Sequence, residues 1–313
     1  MPTSTPRSGS HPRPPPSRPA SRRPLRTEHG TPGPARYGVS VAATADSKVV
    51  LVTGASSGIG AEVARLFVER GHTVYGTSRR PEAVADPIPG VSYVRLDNAD
   101  YQSAIDCAHE VGAVDVLINN AGESQAGALE DTSMTAIEDL FATNVFGPVA
   151  LTKAVLPGMR ERGTGTVVMV GSMLSSFPVA FRSNYAATKS ALKAFAMATR
   201  REVAPYGIRM ISVEPGTIAT GIGDRRSIHI GDDSPYRAEY ETLAAATRNN
   251  EDAGIDATTM ASVIVDAALT DHPKPFYAKG NQAGIVFALR RLMPRQLILD
   301  MTARKHGLRK VRI

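Results

Sequence analysis

From Ser47 onward the chain alternates two periodicities, and this alternation constrains the fold more than any other feature. Short runs rich in β-branched residues stand at Val49–Thr53, Thr73–Thr77, Val91–Leu96, Val114–Ile118, Val167–Val170 and Ile208–Val213, with another near Pro275–Ala278. Between them lie Gly60–Arg70, Tyr101–Val111, Met134–Glu161, Tyr185–Ala204 and Ala257–Thr270, with apolar residues at helical spacing. Strands that alternate with helices build β-α-β units, so the expected fold is α/β: one doubly wound parallel sheet with helices on both faces. No internal repeat breaks the pattern.

Residues 1–46 are different. Ten prolines fall within the first 36 residues, among Ser, Arg and Gly. With almost nothing to bury, this region reads as a disordered tail, leaving residues 47–313 as a single domain. Three origins stand side by side: a solvated tail, upstream sequence from a misassigned start, and an Arg-rich, acid-poor transit peptide. No apolar h-region suggests a secretory signal, and the expected location is cytoplasmic. The longest uncharged stretch, Gly163 to Phe181, is punctuated by Gly, Ser, Thr and Pro178, which suits a strand and loop better than a membrane span.

The net charge of +6 sits at the ends. Residues 1–36 carry seven arginines and one acid, and Arg304, Lys305, Arg309, Lys310 and Arg312 are followed by no acid. The body between is mildly acidic. That argues against a nucleic-acid-binding fold, which would present a basic face. Peripheral tethering to a membrane or another polyanion through the ends stays open. The single cysteine, Cys107, excludes an intramolecular disulfide and reads as a small buried helix residue. The seven histidines show no metal-ligand spacing, so no metal site is expected.

The run Lys48-Val-Val-Leu-Val-Thr-Gly54-Ala-Ser-Ser-Gly58-Ile-Gly60 is a strand, a Gly-rich turn and a helix start. Glycines there let the backbone approach a pyrophosphate, and the helix start offers free N–H groups. A dinucleotide-binding, Rossmann-type domain follows. In such domains an acid about twenty residues past the loop holds the adenosine ribose. Here Ser78, Arg79 and Arg80 stand at that place. Arginine suits a 2′-phosphate, which favours NADP(H) over NAD(H).

Further along, Asn119-Asn120-Ala121-Gly122 follows a strand, Ser172 ends another, and Tyr185-Ala-Ala-Thr-Lys189 puts a phenol and an ammonium on one helix face. Together these residues resemble the short-chain dehydrogenase/reductase family over residues 48 to about 280. T-G-x-x-x-G-x-G stands at 53–60, an acid-plus-polar pair at Asp97-Asn98, a helix asparagine at Asn144, and P-G-x-x-x-T at 215–220. The resemblance implies a catalytic set of Asn144, Ser172, Tyr185 and Lys189. It also implies cofactor contacts from Gly54, Ser56, Ser57, Gly58, Ile59, Gly60, Asp97, Asn98, Asn120, Ala121, Gly122, Tyr185, Lys189, Pro215, Gly216, Ile218 and Thr220, besides Ser78, Arg79 and Arg80. Tyr185 would exchange a proton with the substrate oxygen, which Ser172 holds. Lys189 would stabilise the phenolate and bond the nicotinamide ribose, and Asn144 would position Lys189 through a water. The family also implies a homodimer or homotetramer with the helices Met134–Glu161 and Tyr185–Ala204 in the interface. The end of the chain, Arg290-Arg-Leu-Met-Pro294 with Asp300 and Arg304-Lys-His-Gly-Leu308, is similar to retinol- and 17β-hydroxysteroid-dehydrogenase-like members, which points to a lipophilic carbonyl or alcohol. A non-catalytic NADP-binding sensor or scaffold is the alternative, since a fold alone does not fix function.

About forty residues between Gly216 and Ala257 show little strand pattern. Within them Ser234–Thr247 reads as a helix capped by Ser234, with Pro235 at its first position. A long insertion at the carboxyl edge of such a sheet reads as a substrate lid, over about 217–256. Its first part, Thr217 to Asp233 with the polar run Gly223-Asp-Arg-Arg226, is expected to be mobile. Leu174, Phe177, Val179, Phe181 and Ile218, with Tyr236 and Tyr240 from the lid, are the expected apolar wall of the substrate site.

Overall fold

The computed structural model describes residues 47–219, 223 and 225–309. The expected tail and the cofactor residue Thr220 lie outside the described residues. Seven parallel strands form the main sheet: β1 (Val49–Val52), β2 (Thr73–Ser78), β3 (Val91–Arg95), β4 (Val116–Asn119), β6 (Gly165–Val170), β7 (Ile208–Pro215) and β11 (Phe276–Lys279). Four short strands stand outside it, β5 (Gln125–Gly127), β8 (Ile218–Ala219), β9 (Ser227–His229) and β10 (Ile255–Asp256). The spatial order is β11-β7-β6-β4-β1-β2-β3. The winding reverses between β1 and β4, so a crevice opens at their carboxyl ends.

The central strands are apolar on both faces, which is why they read as continuous runs rather than alternating ones. Val50 and Val52 point to one side with Val116 and Ile118, and meet Phe67 and Met260. Leu51 and Leu117 point to the other and meet Leu151 and Met159. The first layer holds helices α1 (Gly58–Glu69) and α7 (Ala257–Leu269). In α1 the buried residues Gly60, Val63, Ala64 and Phe67 follow the i, i+3, i+4, i+7 rule. The second layer holds α2 (Tyr101–Val111), α3 (Met134–Phe141), α4 (Gly147–Arg162) and α5 (Ser183–Val203). Cys107 is buried in α2, and burial pushes its thiol up to about 12, so it packs as an inert hydrophobe.

A π-helical turn, Ala142–Phe146, joins α3 and α4 into one continuous helix. At 29 residues and a peak mean hydropathy of 1.3, Met134–Arg162 is long and apolar enough to cross a membrane. Leu151, Val155 and Met159 instead pack it on the sheet. The stretch Gly163 to Phe181 supplies β6 and the turn after it.

The helix expected at Ser234–Thr247 is α6 (Arg237–Asp252), and beyond the expected elements lie α8 (Ala283–Leu292) and α9 (Arg295–Lys305). Helix α6 starts three residues later than Ser234 suggests and runs five past Thr247. The Ser234 hydroxyl does accept from Tyr236 N–H, at 3.3 Å, but in the turn before the helix. Most of the large apolar residues of α8 and α9 are exposed.

Candidate functional site

The Gly-rich turn leaves β1 in a conformation that its sequence makes possible. Gly54 has φ +67°, a left-handed geometry that a side chain resists. Gly60 has no room for one, because a Cβ there would overlap the Gly54 carbonyl oxygen and the Asn120 side-chain amide. Helix α1 therefore starts close against the sheet. Its preceding residue, Ser57, makes no capping hydrogen bond with its side chain. The first-turn N–H groups then face the crevice with the positive end of the helix dipole.

Thr53 staples this turn to the neighbouring one. Its hydroxyl accepts from the N–H groups of Asn120 and Ala121, each at 2.9 Å, and the Asn120 amide donates back to the Thr53 carbonyl at 3.0 Å. Thus T-G and N-N-A-G, distant in sequence, form one unit at the switch point. Asp97 and Asn98 lie just past β3. Asp97 accepts from Ala99 N–H at 3.0 Å, and Asn98 donates to the Thr143 carbonyl at 3.3 Å. Neither borders the cavity described below.

At the end of β2 the Ser78 hydroxyl accepts from Arg80 N–H at 3.2 Å. The Arg79 side chain is 75% exposed, and its nearest carboxylate, on Glu123, is 4.0 Å away. Arg79 is therefore an extended cation with a loose partner, beside the turn that would carry a pyrophosphate.

A cavity of about 250 Å³ opens at the carboxyl edge of the sheet. Ser172, Tyr185 and Lys189 line it together with Ile59, Asn120, Gly122, Pro215, Gly216 and Ile218. Helix α5 carries Tyr185 and Lys189 one turn apart, both buried, with Leu192 and Ala196 continuing the inward face. The Lys189 ammonium lies 5.8 Å from the Tyr185 ring centroid and donates to the Val170 carbonyl at 3.1 Å. The Ser172 hydroxyl accepts from Leu174 N–H at 3.2 Å, so its own proton is free to point elsewhere.

Asn144 is fully buried in the π turn. Its carbonyl oxygen accepts from Glu123 N–H at 2.8 Å, and its amide donates to the Glu123 carbonyl at 2.9 Å and to Thr188 at 3.2 Å. Asn144 and Lys189 flank Gly122 from two sides: a Cβ there would lie 3.0 Å from the Asn144 oxygen and 3.3 Å from the Lys189 nitrogen. The residue thus fixes the loop that faces the ammonium. Nothing in the motif spacing marks the π turn that presents it.

The apolar wall partly differs from expectation. Leu174, Phe177, Val179 and Ile218 border the cavity, joined by Met173 and Val286. Phe181, Tyr236 and Tyr240 do not. Phe181 turns away with φ +58° and packs its ring edge on Tyr240 at 5.8 Å. Tyr236 is at the surface, donating to Glu130 at 2.7 Å. A positive φ at phenylalanine costs roughly 1–3 kcal/mol. It sets the course of the chain into Arg182 and helix α5.

Sequence reasoning missed a polar wall. Arg182, Arg226, Thr247, Asn250 and Glu251 line the cavity, as do Thr302 and Lys305 from α9 and His306 just past its end. Arg226 is not part of a solvated run: its side chain is 10% exposed and pairs with Glu251. The Ser124 hydroxyl accepts from Arg226 at 3.2 Å and from Arg182 at 3.0 Å. Arg182 stacks 4.8 Å over the Tyr185 ring. Burial, and then the neighbouring Arg226 charge, lowers Arg182 to about 10. His306 is lowered too, chiefly by burial. Arg182 stands just before α5 and Arg226 just before β9, and each is drawn inward by partners distant in sequence, which hydrophobic periodicity does not register.

Comparison with known proteins fits this geometry. The family model of short chain dehydrogenases matches residues 48–229. An uncharacterized oxidoreductase of Bacillus subtilis, YusZ, is 32% identical over 80% of this chain and 95% of its own. A 3-ketodihydrosphingosine reductase of Bacteroides thetaiotaomicron is 32% identical over 77% of this chain and 91% of its own. Among solved structures, a short-chain dehydrogenase from Streptomyces avermitilis superposes with a TM-score of 0.69 at 35% identity, covering 84% of this chain and 98% of that one. A serine dehydrogenase in complex with NADP⁺ gives 0.63 at 25% identity, covering 75% and 95%.

Proposed function

Because the chain belongs to the short-chain dehydrogenase/reductase family, we propose that it is an NADP(H)-dependent oxidoreductase interconverting a carbonyl and an alcohol on a small, lipophilic substrate. One observation carries the reading. Ser172, Tyr185 and Lys189 meet on a cavity whose other side is Met173, Leu174, Phe177 and Val179. The Gly54–Gly60 turn, open to a pyrophosphate, and the loosely partnered Arg79 fit a phosphorylated dinucleotide. Two relatives lean the same way: one structure holds NADP⁺, and the Bacteroides enzyme is named for reducing a ketone.

Bound NADP(H) supplies or accepts the hydride. The Ser172 hydroxyl donates to the substrate oxygen and holds it. The Tyr185 phenol gives that oxygen its proton in reduction and takes it back in oxidation. The Lys189 ammonium stabilises the phenolate that remains. Asn144 keeps the Gly122–Glu123 loop in place against Lys189. The test is NADPH consumption with a panel of lipophilic ketones and aldehydes. At least one is expected to be turned over, faster than sugars are. A protein that binds NADPH and turns over none would be the sensor or scaffold instead.

We assign residues 217–256 as the substrate lid, since Thr217, Ile218, Arg226 and Glu251 all border the cavity. Saturating NADP⁺ with substrate is expected to protect the chain from trypsin at Arg225 and Arg226. Equal cutting with and without ligands would remove the lid. We also infer a homodimer or homotetramer through the continuous α3–α4 helix (Met134–Glu161) and α5, where Phe146 of the π turn and Phe195 of α5 stay 44% and 43% exposed. Light scattering at micromolar concentration checks this, and a monomer refutes it. The location we propose is the cytoplasm, and we propose that the basic ends allow peripheral contact with a membrane.

A further inference from the structure

A second concavity, of about 960 Å³, lies between α5, β11 and the α8–α9 pair. It shares no lining residue with the catalytic cavity. Its size is within the range of small-molecule sites, about 300–1,000 Å³. Phe276, Phe287, Ile298 and Leu299 supply an apolar floor. The two phenylalanine rings stack edge to face with centroids 5.0 Å apart.

The charge around this floor has one sign. Lys193, Arg290, Arg291 and Arg295 line the groove, and no carboxylate among the described residues does. Lys193 already has its counter-charge: its ammonium is 2.7 Å from the fully buried Glu214 and 2.7 Å from the Ser176 hydroxyl. Arg290 leans over the Phe177 ring at 5.8 Å. None of the three arginines pairs with a carboxylate among the described residues. Residues 283–309 hold six basic side chains against one acid, Asp300. A solvated face would mix charges of both signs. An apolar trough rimmed by unpaired guanidinium groups is complementary to an alkyl chain that ends in an anion.

We propose that this groove binds a free, single-chain anionic amphiphile, with its alkyl chain along Phe276, Phe287, Ile298 and Leu299 and its carboxylate on Arg291 and Arg295. The site is concave and walled by two helices, which favours a monomeric molecule over a bilayer surface. It is independent of the catalytic reading, and so is its test.

Titration calorimetry of the full-length chain, saturated with NADP⁺, with laurate below its micelle concentration is the experiment. One laurate per chain is expected. Dodecanol, which lacks the charge, is expected to bind about 10- to 100-fold more weakly, the worth of a charge-assisted hydrogen bond. The double substitution Arg291→Glu with Arg295→Glu is expected to cost at least as much. Its melting temperature should not change, because both side chains are exposed. Leu174→Trp, which narrows the catalytic cavity, should leave laurate binding as it was. Equal affinity for laurate and dodecanol overturns the proposal. So does loss of binding in Leu174→Trp with retention in the arginine variant, which would put the ligand in the catalytic cavity. Failure of laurate to bind, with attachment to anionic vesicles or with dimers that the arginine variant dissociates, would assign the groove to a bilayer or to a second copy of the chain.

Discussion

Replacing Tyr185 by phenylalanine is expected to lower kcat by about 10²- to 10⁴-fold, the usual worth of general acid–base catalysis, while NADPH still binds. The ring is what the structure packs: it lies under the Arg182 guanidinium at 4.8 Å and is itself buried. Phenylalanine keeps that ring and removes only the hydroxyl. Among the described residues none hydrogen-bonds the hydroxyl, so its loss leaves no partner stranded inside the fold. The unfolding free energy should therefore stay within about 1 kcal/mol of the wild type. A structural role would predict the reverse, with stability falling and activity following it. Retention of more than about a third of wild-type turnover, far above the range for a lost proton donor, would mean that another group is the acid.

The positions of these residues show what the sequence could and could not say. The strands were legible because both faces of a central parallel strand are apolar, and short β-branched runs such as Val49–Val52 bounded by turn residues favour a strand over a buried helix. Ser172 at a strand end and Tyr185 with Lys189 on one helix face were placed by spacing, and they share one cavity; the catalytic set with Asn144 came from the family resemblance instead. The π turn around Asn144 was not legible, because one extra residue per turn leaves no compositional mark. Helices α8 and α9 were missed for a different reason. Helix α9 has almost no apolar stripe for periodicity to detect, whereas α8 is amphipathic but leaves Ile285 and Leu292 63% and 83% exposed. The polar cavity wall came with them. Thr302, Lys305 and His306 reach the site only because α9 folds back across it, a long-range event with no local signal. Arg226 illustrates the same limit. In a run of Gly, Asp and Arg it reads as solvated, yet Glu251, 25 residues later, draws it into the wall.

NADPH is expected to bind more tightly than NADH, and Arg79→Ala is expected to weaken NADPH binding by about 10- to 100-fold while leaving NADH nearly unchanged. A charge-assisted hydrogen bond to phosphate is worth roughly 1.5–3 kcal/mol, which gives that range. The exposure of Arg79, at 75%, argues for its lower end, because water and salt screen an exposed pair. The Glu123 carboxylate at 4.0 Å is too distant to hold the guanidinium firmly, so the side chain can turn to a ligand at small cost. Arg80 cannot replace it on the same footing, since its backbone N–H is tied to the Ser78 hydroxyl and the chain then turns into Pro81. Screening supplies an independent check: the preference for NADPH should shrink as ionic strength rises, whereas the affinity for NADH should change little. Measured dissociation constants that are equal for the two cofactors in the wild type would contradict the assignment of Arg79 outright. A preference that survives Arg79→Ala unchanged would instead move the phosphate contact to Ser78 or Arg80.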